Sequence, residues 1–140
     1  MPRPRPPEWT RRPASVCASA PSVAANNCHL PEEFSGLRFH VEHIVARQHG
    51  GTDEPTNLAL ACPECNFHKG TNLTGIDPTT GQGAPLFHPR RDRWEGHFAL
   101  AGANIVGQTS VGRTTVSLLG MNTGDRLRLR RLLVQLGVSR

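Results

Sequence analysis

Long hydrophobic stretches are missing from this sequence. Its longest unbroken apolar run is Leu58–Cys62, which excludes a membrane-spanning helix. Cysteine is scarce as well: 4 in 140 residues are too few for a disulfide-stapled secreted scaffold. Cys62 and Cys65, spaced Cys-Pro-Glu-Cys, point instead to reduced thiols holding a metal in a cytoplasmic protein. Lysine is almost absent: of the 16 Lys and Arg residues, Lys69 is the single lysine and the rest are arginine. That bias fits bidentate phosphate contact and fits a GC-rich genome equally well. Residues 14–25 contain no Leu, Ile or Phe and are broken by Pro21, so Arg11-Arg12 followed by this stretch makes a poor export signal. What is there is room for one domain of ordinary size, with Gly 14 and Pro 12 marking many turns.

The net charge of +5 is unevenly placed. Residues 1–13 hold Arg3, Arg5, Arg11 and Arg12 against Glu8. Residues 14–75 are acidic: Glu32, Glu33, Glu42, Asp53, Glu54 and Glu64 outnumber Arg38, Arg47 and Lys69. Residues 76–140 are basic again, through Arg90, Arg91, Arg93, Arg113, Arg126, Arg128, Arg130, Arg131 and Arg140. An acidic middle between basic flanks suits a polyanion ligand approached through a cation-binding centre.

Along the chain, residues 1–25 read as a disordered Pro-, Arg- and Ala-rich arm. Leu37–Val45 alternates apolar and polar residues and predicts a strand. Gln48–Pro55 is a loop by its Gly and Pro content, Leu58–Ala61 a second short strand, and Glu64 to about Asn72 a short helix. Residues 75–97 read as loop. Asn104–Thr109 and Arg113–Leu119 then alternate in a way that predicts a hairpin joined at Gly112. A last amphipathic helix is expected from about Asp125 to Leu136, with Leu129, Leu132, Leu133 and Leu136 docked on the hairpin and Arg126, Arg128, Arg130 and Arg131 in solvent.

The chemistry-bearing residues concentrate in one stretch: His40-Val-Glu42-His43, Gly50-Gly51, Asn57, and Cys62-Pro-Glu-Cys65-Asn66-Phe-His-Lys69. Phosphodiester hydrolysis needs a base for water and a Lewis acid for the developing oxyanion. An imidazole such as that of His43 is the side chain suited to the first task, and Glu42 and Asn66 offer hard oxygen ligands suited to Mg²⁺ or Mn²⁺. This pattern resembles the HNH endonucleases, whose fold is the ββα-metal or His-Me finger. The resemblance implies a ββα-metal core over 26–75 with a zinc knuckle; with the β-hairpin and C-terminal amphipathic helix read above, the expectation is an α+β fold in which a basic extension over 76–140 packs on that core. It implies that His43 is the general base, that Glu42 and Asn66 hold the catalytic ion, and that Asn57 braces the loop of His43. Cleavage of DNA would leave 5′-phosphate and 3′-hydroxyl ends. Arg47, Lys69, Arg90, Arg91 and Arg93 are the candidate DNA contacts. His40 and His68 lie close enough in sequence to assist the metal site. On a regular strand Glu42 and His43 face opposite sides, so both serve one phosphate only if the strand ends or bulges near 43.

One position departs from the family. Cys28, Cys62 and Cys65 supply three thiolates of a zinc knuckle, but the expected fourth falls on Ala25. Zinc wants four ligands in a closed structural site. Cys17, His29 or water is left to complete it, or the site is defective. A non-catalytic, zinc-containing nucleic-acid-binding protein with a degenerate core is therefore the alternative to an active nuclease.

Overall fold

The computed structural model describes residues 25–32 and 38–137. The arm expected before residue 25, Cys17 and the export-signal reading included, lies outside the described residues. Ala25 itself, the last residue assigned to that arm, is buried at 1% exposure.

Strand β1 (His40–His43) pairs antiparallel with β2 (Leu58–Ala61), in the register His40 with Ala61, Glu42 with Ala59 and His43 with Leu58. All four residues of β2 are buried. Such a strand carries no polar face, and its alanines let neighbouring backbone approach closely. Helix α1 (Pro63–Lys69) follows at once: Cys62 is its N-cap, Pro63 occupies the first turn, and the Cys62 Sγ accepts from the Cys65 N–H at 3.4 Å. Two antiparallel strands and a helix thus close within thirty residues of chain, with the metal-type residues at the joints.

Residues 75–97, expected to be loop, hold more order than their punctuation suggests. Strands β3 (Thr74–Ile76) and β4 (Gly83–Pro85) pair antiparallel, and α2 (Trp94–His97) is a single helical turn. Three-residue strands are too short to show a period, so nothing in the pattern reveals them. What fixes this hairpin is Asp77, which is fully buried. It accepts from Arg113 Nε at 3.1 Å, Arg113 Nη2 at 2.8 Å, Ser110 Oγ at 2.9 Å and the Thr79 N–H at 2.9 Å. The guanidinium of Arg113 holds this carboxyl well below the usual carboxylate range.

The expected hairpin is displaced by one element. Asn104–Gly107 (β6) pairs backward with Phe98–Ala101 (β5), turning at Gly102, whose φ is +62°. Ser110–Leu119 is helix α3, not a strand. Its valines and threonines favour a strand by propensity, but two local devices override them. Thr109 Oγ1 accepts from the Gly112 N–H at 3.0 Å and caps the helix. Gly112 packs against the carbonyl of His97, where a Cβ would lie 2.1 Å from the oxygen. Only a helix presented at that glycine can lie so close to α2.

Helix α4 (Gly124–Gln135) shows the largest departure. The face turned inward carries Arg126, Arg130 and Leu133, exposed at 3%, 3% and 1%, whereas Leu132 and Leu136 face solvent. Arg126 and Arg130 are therefore buried rather than solvated. Arg130 donates to the carbonyls of Ala103 at 3.1 Å and Met121 at 3.0 Å. Burial is tolerable because each guanidinium finds acceptors that an aliphatic side chain would leave unpaired. Arg128 and Arg131 remain exposed.

The core draws on β2, α1, β5, β6 and α3. Phe39, Leu60, Phe87, Phe98, Ile105, Leu119 and Met121 form one cluster, and Cys28, Cys62 and Cys65 belong to it. The ββα unit is also tied to the later chain by polar contacts: Trp94 Nε1 donates to the Asn27 carbonyl at 2.7 Å, and Arg90 Nε to the Leu58 carbonyl at 2.8 Å.

Candidate active site

Glu42 and His43 are the last two residues of β1, both paired with β2, the first buried and the second half-buried. Glu42 is 6% exposed, and its Oε1 has no hydrogen-bond donor among the described residues. Burial pushes its carboxyl up to about 7, against the pull of the Lys69 ammonium. An orphaned carboxylate oxygen held beside a strand end is the environment a divalent cation satisfies.

His43 is largely shielded, its Nε2 2.8 Å from Asp53 Oδ1. Arg47 holds the same carboxylate, with Nε 3.0 Å from Oδ1 and Nη2 on Oδ2. Asp53 is held below its ordinary pKa first by Arg47 and then by His43. Sequence reasoning passed over Asp53. It stands ten residues from His43 in a polar loop, and only the fold of that loop brings it to the ring.

Asn57 folds the loop. Its Nδ2 donates to the carbonyls of Val45 at 3.0 Å and Thr52 at 2.7 Å, and its Oδ1 accepts from the Val45 N–H at 2.9 Å. The backbone adds Ile44 N–H to Asn57 O at 2.8 Å. Gly51 makes the crossing possible, since a Cβ there would lie 1.7 Å from Val45 O and 2.9 Å from Asn57 Nδ2. Gly51→Ala is expected to destabilise the protein by at least about 2 kcal/mol, because backbone must move. A thermal melt of the variant checks this, and an unchanged melting temperature would show that the loop relaxes freely.

Asn66, one residue past Cys65 on α1, has Nδ2 3.0 Å from His40 Nδ1. His40 and Glu42, two apart on β1, share one strand face. The structure thereby puts the amide of Asn66 against the strand that carries Glu42, with His40 between the elements. His68 is exposed and meets Phe67 edge-on. Lys69 is corrected. Placed by sequence among the DNA contacts, it is 5% exposed, with Nζ donating to the carbonyls of Ile44 at 3.0 Å and His43 at 3.4 Å. It secures the end of β1 and faces no solvent.

Of the candidate phosphate-contacting arginines, Arg91 and Arg93 are exposed, Arg47 is exposed and paired with Asp53, and Arg90 is half-buried against β2. A groove of about 490 Å³ runs beside the His43 loop, with Val45, Gly51 and Asn57 on one side and His88, Arg90 and Arg91 on the other. Its basic wall gives a polyanion a path along the loop.

The thiols gather where the segment at Cys28, held to β2 by the Asn26 N–H on Leu60 O at 2.8 Å, meets the start of α1. The sulfurs of Cys28, Cys62 and Cys65 are within 4.8 Å of one another, Cys28 and Cys62 being 3.7 Å apart. Tetrahedral thiolates at about 2.3 Å from an ion lie roughly 3.8 Å apart, so the spacing fits a metal. Hydrogen bonds from Cys28 and Cys65 lower the Cys62 thiol, and sharing that charge raises Cys28 to about 12. Ala25, buried in the same cluster as the three cysteines, bonds Leu30 O through its N–H and accepts from the His29 N–H at its carbonyl, both at 3.0 Å. His29 does not join the sulfurs. Its ring stacks on Trp94 with centroids 4.2 Å apart.

A two-stranded antiparallel unit closed by a short helix, with metal-type donors at the strand end and a thiol knuckle at the helix start, is the architecture of a ββα-metal protein. Residues 26–72, about a third of the chain, match the family model described as HNH endonuclease. No curated protein and no solved structure matches the chain. The match points to a nuclease or nucleic-acid-related function, and no described helix is long and apolar enough to cross a membrane.

Proposed function

We propose that the protein is a metal-dependent endonuclease that hydrolyses DNA phosphodiester bonds to 5′-phosphate and 3′-hydroxyl ends. The observation that carries this reading is the pairing of a buried carboxylate lacking a donor, Glu42, with an adjacent imidazole held by Asp53. Glu42 and Asn66 would hold Mg²⁺ or Mn²⁺, which supplies Lewis-acid stabilisation of the phosphorane oxygens and of the leaving 3′-oxygen when bound. His43 takes a proton from the attacking water. With Nε2 donating to Asp53, the basic lone pair sits on Nδ1, and the carboxylate stabilises the imidazolium that forms. Asn57 keeps the ring's loop in place, and His40 fixes the amide of Asn66. Arg91, Arg93 and the basic groove wall receive the DNA backbone, a sequence-tolerant mode of binding. Cys28, Cys62 and Cys65 would hold a structural zinc, the soft ion thiolates select.

The test is nicking of supercoiled plasmid by the purified full chain. Activity is expected with Mg²⁺ or Mn²⁺ and none with a chelator, and Glu42→Ala should shift the metal concentration needed upward or remove the response. A chain that binds DNA yet nicks under no metal condition would establish the non-catalytic alternative.

A further inference from the structure

Arg126 on α4 reaches the thiol cluster from sixty residues away. It is 3% exposed, and its Nη1 donates to Cys65 Sγ at 3.0 Å. Its Nε lies 3.0 Å from Glu64 Oε2 on α1, and its Nη2 donates to the carbonyls of Leu119 at 3.0 Å and Gly120. Of the three sulfurs only Cys65 is its hydrogen-bond partner, while Cys28, Cys62 and Cys65 lie within 4.8 Å of one another. The position it serves is the one this chain lacks: Ala25 stands where a fourth thiolate would close the knuckle.

We propose that Arg126 takes over the duty of that missing cysteine, making α4 part of the metal centre. The argument is one of charge. A divalent ion with three thiolates carries one negative charge, and a buried guanidinium cancels it. With four thiolates the charge would be two, and the knuckle could stand alone. A donor to a coordinated thiolate also lowers its excess electron density and fixes its direction, as outer partners of metal ligands do. Arg130, one turn further along the same buried face, adds a second cation to the neighbourhood. Without the anionic centre, α4 would bring two buried cations toward the core with only the half-exposed Glu64 to balance them. The C-terminal extension therefore docks through the metal, and metal and helix stabilise each other. The proposal rests on the metal reading of Cys28, Cys62 and Cys65 and is independent of the nuclease reading.

The experiment is zinc competition against a chromophoric chelator on the full chain, with cobalt substitution to count sulfur ligands by their charge-transfer absorption. Wild type should give a three-sulfur cobalt spectrum. Arg126→Gln should weaken zinc binding by roughly 10–100-fold, the scale of lost outer partners, while Arg128→Gln, on the exposed face, should leave it unchanged. Adding the fourth thiolate, Ala25→Cys with Arg126→Gln, should bring the affinity back to within a few-fold of wild type. Unchanged zinc affinity in Arg126→Gln overturns the proposal. So does a four-sulfur spectrum in wild type, which would give the closing role to Cys17. A wild-type chain that takes up no zinc removes the metal reading and the proposal together. If Arg126→Gln alone does not fold, the double variant decides: folding with zinc supports the substitution of arginine for cysteine, and failure to fold with zinc refutes it.

Discussion

His43→Ala is expected to slow plasmid nicking by roughly 10²–10⁴-fold while leaving the fold and DNA affinity near wild type, the loss typical of removing a general base. The imidazole lies at the end of β1, outside the hydrophobic cluster, and its hydrogen bond runs to a loop carboxylate. Its removal thus takes away proton transfer without opening the core. The backbone bonds that shape the site, Ile44 N–H to Asn57 O and Lys69 Nζ to the His43 carbonyl, need no side chain at position 43. Asp53→Asn should give a smaller loss confined to kcat, because the ring keeps a neighbour but its imidazolium loses the charge that favours it. Equal nicking rates for wild type and His43→Ala, measured at saturating Mn²⁺, would remove His43 from the chemistry.

The ββα unit was readable because its elements announce themselves locally. Leu58–Ala61 emerges with the bounds read from sequence, and the Cys-Pro-Glu-Cys run marks a helix start through a capping thiol and a first-turn proline. Glu42, His43, Asn57 and Asn66 could be named as candidates from sequence because they fall at motif spacing, and their roles remain the proposal made above. What stayed hidden shares a cause: each feature depends on a partner distant in the chain. Asp53 meets His43 only after the loop folds over Asn57. Lys69 looks like a surface cation until α1 packs its end against β1. Helix α4 looks amphipathic by its leucines, but the acceptors that bury Arg126 and Arg130 come from α1, the end of α3 and the β5–β6 turn. The Ser110–Leu119 helix was masked by β-branched residues whose propensity is a weak prior against a cap and a packed glycine.

Cys62→Ser is expected to abolish zinc content, lower the melting temperature by roughly 10 °C or more and abolish nicking, although Cys62 touches no group assigned to catalysis. The serine is chosen because it separates two duties of the residue. Cys62 caps α1, and a serine hydroxyl performs that duty at least as well as a thiol. It cannot serve as the thiolate ligand of a soft ion, so the damage reports the metal rather than the cap. The loss should be large because the three sulfurs lie within the main core and join the segment at Cys28 to the start of α1. Each kcal/mol withdrawn from a domain of this size lowers the midpoint by roughly 3–4 °C. Asn66 follows Cys65 directly, so loosening this turn also moves the amide now held by His40. A chelator should bring wild type to the melting temperature of Cys62→Ser and leave the variant unaffected. If wild type stripped of metal melts where it did before, the thiols are packing residues of the core and the knuckle holds no structural ion.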